Sequence, residues 1–189
     1  MAELKERTRP LRADARRSIA SVIDAARETL AEDPSADMQA IAVRAGVNRA
    51  TVYRHFASRE ELLRAVYLEY AELFTQIVET IDPKASDEAG ELRRVTLELL
   101  ALADHWRPFR YSAPFPQAVD EHRARMAESL TPLLTSGQRS GAFRSDFEPP
   151  ELAIAWGTPF PYASVLLAEG GWSREDAGEF ILKLITPCH

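Results

Sequence analysis

Apolar positions recur along this chain at three- and four-residue intervals, so it reads as one series of helices from end to end. Ile19, Val22, Ile23, Ala26 and Leu30 share one helix face, and Asp33-Pro34-Ser35 ends that run. A shorter pattern follows in Met38, Ile41, Ala42 and Ala45, with Asp37 placed to cap its start and Gly46 free to take the positive φ that closes it. Asn48 can cap a third element from Arg49 to Phe56, which turns Val52 and Phe56 inward and leaves Arg49, Thr51, Tyr53, Arg54 and His55 outward. Ser58-Arg59-Glu60-Glu61 has the form of a capping box, in which a serine and a glutamate satisfy each other's orphan amides at a helix start. Behind it Leu62, Leu63, Val66, Tyr67, Tyr70, Leu73, Phe74, Ile77 and Ile81 predict a long amphipathic helix over 58–81, stopped by Asp82-Pro83.

The remainder keeps the helical period. Leu92, Val95, Leu99, Leu100 and Ala103 mark one helix, and Val119, Met126, Leu130, Leu133 and Leu134 mark another that should break between Gly137 and Gly141. A turn-rich stretch from Asp146 to Pro150 leads to a penultimate element of about 149–169. Pro159 and Pro161 each remove a backbone donor, which predicts a kink or break near 157–161. Ser173-Arg174-Glu175-Asp176 repeats the capping-box form before a last helix to about Thr186.

Composition narrows the class. Of 189 residues 46% are apolar, enough for a packed core, and no apolar run approaches a membrane span, so a globular cytoplasmic protein is expected. Cys188 is the only cysteine and reads as a tail residue. A phosphate-cradling glycine loop, a nucleophile elbow and a metal-ligand spacing are all missing, which argues against an enzyme and against any required cofactor or metal. The net charge of −6 suits a DNA-binding protein poorly until it is divided. Residues 1–60 carry 11 Lys/Arg against 9 Asp/Glu, a net +2, and residues 61–189 carry 12 against 20, a net −8. The two parts have different electrostatic tasks.

Two short helices joined by a glycine turn, the second presenting polar and cationic side chains, fit a DNA-reading helix-turn-helix. The string Ile41-Ala42, Ala45-Gly46-Val47, Thr51-Val52-Tyr53-Arg54-His55-Phe56 and Ser58-Arg59-Glu60-Glu61-Leu62 resembles the N-terminal signature of the tetracycline-repressor (TetR) family over roughly residues 14–66. The resemblance implies an all-α fold: a three-helix helix-turn-helix DNA-binding domain over 1–57, then a helical effector-binding and dimerisation domain over 58–189. On chemical grounds Arg49 has the fork that fits guanine O6 and N7, and Thr51 can take a base-edge hydrogen bond or a thymine methyl. The resemblance adds Tyr53, His55 and Arg59 as phosphate contacts, Arg54 beside them, Gln39 as a further base contact and Ala50 as a point of close backbone approach. Asp37 departs from the threonine or serine common in the family, and its charge should face away from DNA. Arg7, Arg9, Arg12, Arg16 and Arg17 form a basic arm and first turn that either follows DNA or is simply solvated.

One such unit contacts too little DNA for a specific site, so a homodimer on palindromic double-stranded operator DNA is expected. The resemblance implies pairing through the last two helices, with Ala155, Trp156, Val165, Leu166, Phe180, Ile181, Leu184 and Ile185 as interface candidates; the same stripes could instead pack within one chain. The ring-rich stretch from His105 to His122, with Trp106, Phe109, Tyr111 and Phe115, can join Met126, Trp156, Phe160 and Tyr162 to line a pocket for an aromatic or lipophilic small molecule, or can simply fill the core. His105 and His122 lack the partner spacing of a metal site. The expected function is a ligand-responsive repressor whose long helix transmits effector binding to the reading head. The rival reading is a helical dimeric adaptor acting through protein contacts alone.

Overall fold

The computed structural model describes residues 2–102 and 120–187, and the regular elements among those residues are helices. Contacts divide the chain into two units, Met1–Val66 and Tyr67–His189.

In the first unit, α1 (Ala2–Glu32) buries Val22, Ala25, Ala26 and Leu30. It begins well before the periodic stripe, so Arg7 to Arg17 lie on a helix and not in an extended arm. It ends where the sequence predicts: the Ser35 N–H and hydroxyl both donate to Asp33 Oδ1, at 2.8 and 2.6 Å, and hold the chain in a turn. α2 (Met38–Arg44) starts at Asp37, whose carboxylate accepts from the Gln39 and Ala40 amides at 3.0 and 2.9 Å. At its other end Gly46 takes φ +67°, a value that strains any residue with a Cβ, and the Val47 amide bonds back to the Ala42 carbonyl at 3.0 Å. α3 (Arg49–His55) then runs only seven residues, with Val52 fully buried beneath it and Phe56 buried at its exit.

α4 (Arg59–Val78) begins with a modified capping box: Ser58 Oγ accepts from the Glu61 amide, but the Glu61 carboxylate reaches past Ser58 to the Ala57 amide at 2.7 Å. It stops three residues before the predicted end, because Thr80 and Ile81 bond three residues back, to Ile77 and Val78, and tighten the last turn. The sequence boundary at 57/58 marks where this helix starts; the packing boundary falls inside it, since Leu62 and Val66 are buried with the first unit.

The second unit is built on α5 (Glu88–Leu100), α6 (Asp120–Ser140), α7 (Pro149–Gly157), α8 (Phe160–Ala168) and α9 (Arg174–Lys183). α5 packs on α9 and α6 on α7, around Leu92, Leu99, Leu130, Leu133, Leu134, Phe143, Leu152 and Ile181. α6 ends within the stretch expected to break it, at the Gly141 side and not at Gly137. The helix passes through it and ends at Gly141 (φ +84°), and Gly137 is needed because a Cβ there would collide with the Phe143 ring. Of the kink or break expected near 157–161, the structure has the break, between α7 and α8, where Pro159 has no amide to donate. The second capping box forms as predicted, Ser173 Oγ accepting from the Asp176 amide and Asp176 Oδ2 from the Ser173 amide, both at 3.1 Å. Ala103, Val119 and Cys188 lie outside the described residues. Among the described residues no helix is long and apolar enough to cross a membrane.

Candidate nucleic-acid interface

α3 is anchored at both ends and presents its polar face between them. Asn48 Oδ1 accepts from the Thr51 amide at 2.7 Å and from the Thr51 hydroxyl at 3.0 Å, so one side chain caps the helix and also fixes the Thr51 rotamer. The Thr51 hydroxyl proton is thereby occupied, which leaves its oxygen as an acceptor and its methyl for apolar contact. Arg49, Ala50, Tyr53 and Arg54 are exposed, and Thr51 and His55 are half-buried. Arg49 and Tyr53 stand one turn apart and touch: the guanidinium carbon lies 5.1 Å from the ring centroid and Nη2 donates to the phenol oxygen at 3.3 Å. That hydrogen bond holds the Arg49 pKa above its ordinary value.

His55 and Arg59 differ from expectation. His55 Nε2 is buried with no hydrogen-bond partner among the described residues, so only Nδ1 is left for a phosphate. Arg59 is turned into the protein: Nε donates to the Ala36 carbonyl at 3.1 Å and Nη2 to the Pro34 carbonyl at 2.6 Å. Its cation ties the first turn of α4 to the loop before α2, and these two bonds use two of its five donors. Gln39 is exposed on α2, and one turn along Val43 is 69% exposed, an apolar surface position the sequence reading passed over because it lies off the buried stripe. Arg44 is committed to α1, pairing with Glu28 and Glu32, and it lowers the Glu32 pKa through the hydrogen bond between them.

In the second unit, the effector candidates His105, Trp106, Phe109 and Phe115, with Tyr111, lie outside the described residues. Trp156 and Phe160 are each 1% exposed and stack edge-on at 5.2 Å, with Phe74 against both at 6.3 and 5.3 Å. The Trp156 indole donates to the Thr96 hydroxyl at 2.9 Å, and Thr96 donates in turn to the Leu92 carbonyl. These rings come together as a packed, satisfied core. Tyr162 does not join them: two residues beyond Phe160, it falls on the opposite face of α8 and is 61% exposed. Met126 is half-buried. His122 sits against α4, its Nδ1 3.2 Å from the Thr75 hydroxyl and 3.6 Å from Glu72. Since the Thr75 hydroxyl already donates to the Ala71 carbonyl, His122 Nδ1 is the donor in that pair. Arg125 beside it grips Glu79 at 2.8 and 2.9 Å and Glu72 at 2.8 Å, which holds both carboxyl pKa values below the usual range.

Of the interface stripe expected on the last helices, Trp156, Val165, Ile181 and Ile185 are buried within the protomer, and Ala155 and Leu166 are half-buried. The apolar surface is Ile154 (68% exposed), Tyr162, Phe180 and Leu184. Among the described residues no group of three or more His, Cys, Asp or Glu could hold a metal ion.

Residues 22–66 match the family described as bacterial regulatory proteins, tetR family. Among curated proteins the HTH-type transcriptional repressor LfrR of Mycolicibacterium smegmatis is 38% identical over 82 residues, 43% of each chain. The match thus spans less than half the length of that relative. Among solved structures, the TetR-like regulator LfrR from Mycobacterium smegmatis in complex with proflavine superimposes with a TM-score of 0.68 at 26% identity, covering 88% of this chain and 94% of that one. A regulator from Marinobacter aquaeolei VT8 (TM-score 0.70, 19% identity, 95% and 100% covered) and FadR from Bacillus subtilis in complex with stearoyl-CoA (0.70, 19%, 90% and 99%) share the fold.

Proposed function

We propose that this chain, whose residues 22–66 match the tetR family of bacterial regulatory proteins, is a transcriptional repressor that binds palindromic operator DNA as a homodimer and is released by a small molecule. The observation that carries the reading is the exposed face of α3, where Arg49, Thr51 and Tyr53 project from a capped two-turn helix behind the Gly46 turn. Arg49 and Thr51 read base edges; Tyr53, Arg54 and the Nδ1 edge of His55 meet phosphates. Gln39 and Ala50 line the same approach.

The dimer forms through Ile154, Tyr162 and Phe180, large apolar side chains exposed on α7, α8 and α9, and through Leu184 at the C-cap of α9. Such a surface is favoured by removal from water. The effector is an aromatic or lipophilic molecule held in the second unit. Proflavine in LfrR, a planar aromatic compound, and stearoyl-CoA in FadR, which carries a long acyl chain, both support that class. Its binding shifts α4, which runs unbroken from Arg59 to Val78, and so changes the population of the DNA-competent state.

Selection of genomic fragments by the purified full chain at two salt concentrations tests the reading. Enrichment of one short palindrome, with affinity falling as salt rises, is the expected result. Failure to enrich any sequence at either salt overturns it in favour of a protein-binding adaptor.

A further inference from the structure

The pair formed by Arg49 and Tyr53 has a consequence for specificity. An arginine that reads guanine must present two donors of its planar fork in one plane, and a long side chain loses much rotamer freedom when it does so. Arg49 stands on an exposed face, where the Asp37 carboxylate acts on its charge but is not among its hydrogen-bond partners. The described contacts that orient it come from Tyr53, and there are two of them: the ring under the guanidinium at 5.1 Å, and the phenol oxygen accepting from Nη2 at 3.3 Å. The bond uses one of the five guanidinium donors, and the phenol keeps its own proton. Tyr53 is 40% exposed on a seven-residue helix whose backbone is held at Asn48 and at Phe56, so the Cα from which its ring projects is fixed relative to that of Arg49.

We propose that Tyr53 is the positioning residue for Arg49: its ring holds the guanidinium fork in the plane that meets a base edge, so that Tyr53 sets sequence preference and does not only strengthen binding. The inference rests on the operator-binding reading above. It separates two physical contributions of one side chain. Stacking, which needs only an aromatic ring, supplies most of the orientation of Arg49, with the long 3.3 Å bond to the phenol oxygen secondary to it; the hydroxyl proton, which needs the phenol, is what a phosphate would receive.

The test is selection from a randomised duplex pool by the full chain, comparing the unaltered protein with Arg49→Ala, Tyr53→Phe, Tyr53→Leu and the double variant Arg49→Ala/Tyr53→Leu, each checked by a thermal melt. Arg49→Ala defines the base pair that Arg49 reads, where the preference should fall by about tenfold. Tyr53→Phe keeps the ring and should hold that preference within about twofold while weakening all sequences alike. Tyr53→Leu should lose the preference at that one base pair as fully as Arg49→Ala, and the double variant should lose no more. If Tyr53→Leu weakens every sequence equally with the preference intact, or if Arg49→Ala changes no base preference, the positioning role is wrong while operator binding stands. If the unaltered protein enriches nothing, the operator reading itself falls, and this inference with it.

Discussion

Arg59 gives a direct choice between a DNA contact and a structural tie. Its Nε and Nη2 donate to the carbonyls of Ala36 and Pro34, the first of these part-buried, across the loop that leads into α2. A hydrogen bond of this kind contributes about 1 kcal/mol net, more when the donor is charged and less where water competes, so the two together stabilise the first unit by about 2 kcal/mol. Arg59→Met keeps most of the stem and removes both bonds. It should lower the urea midpoint of the first unit by about 1 M, for a slope near 2 kcal/mol per M, and amides of 33–45 should exchange faster by more than tenfold in a hydrogen-exchange experiment. Arg59→Lys, with a single point donor, should recover about half the loss. Operator affinity would fall through the disturbed α2, but its dependence on salt should not change. A phosphate contact predicts the reverse pattern: intact stability and exchange, with the log–log salt slope reduced by about 0.9 per protomer. That result would refute the assignment.

Trp156→Phe should lower the stability of the second unit by about 2 kcal/mol, combining the lost indole bond to Thr96 with the smaller ring left in a packed site, as read by urea unfolding. Ile154→Glu together with Phe180→Glu should turn the dimer into monomer by sedimentation velocity, raising the dimer dissociation constant more than about hundredfold, because each charge would be buried without a partner; an unchanged dimer would place the interface elsewhere. The carboxyl groups of Glu72 and Glu79 are held by Arg125 below their ordinary 4.5, so their contribution to stability is present above that value and is lost as pH falls through the lower folded-state values. Glu72→Gln with Glu79→Gln should therefore flatten the acid side of the stability curve below about pH 4.5 and leave its alkaline side parallel to that of the unaltered protein.

Local chemistry made much of this protein legible from sequence. Asp37, Asn48 and Ser173 cap the helices they precede, and Gly46 takes the positive φ expected of it, because caps and tight turns are decided by residues within four positions of one another. The outward set on α3 follows from the same short-range geometry, since Val52 and Phe56 fix which side is buried. The contact between Arg49 and Tyr53 was implicit in their spacing of four, although nothing in the spacing says that they stack.

Tertiary packing decided the rest. Arg59 finds its partners more than twenty residues back along the chain, and such a pairing leaves no local trace. Gly137 lies in the stretch that reads as a helix end, yet it is helix interior, and a side chain is barred there because the Phe143 ring occupies the space it would need. Of the stripe that the sequence offers as an interface on the last helices, burial puts Trp156, Val165, Ile181 and Ile185 inward and Phe180 and Leu184 outward, and it exposes Ile154 and Tyr162, which lie outside that stripe. Hydrophobic period reports that a helix has an apolar side; when a helix has two, only its neighbours determine which one becomes core and which is left for a partner.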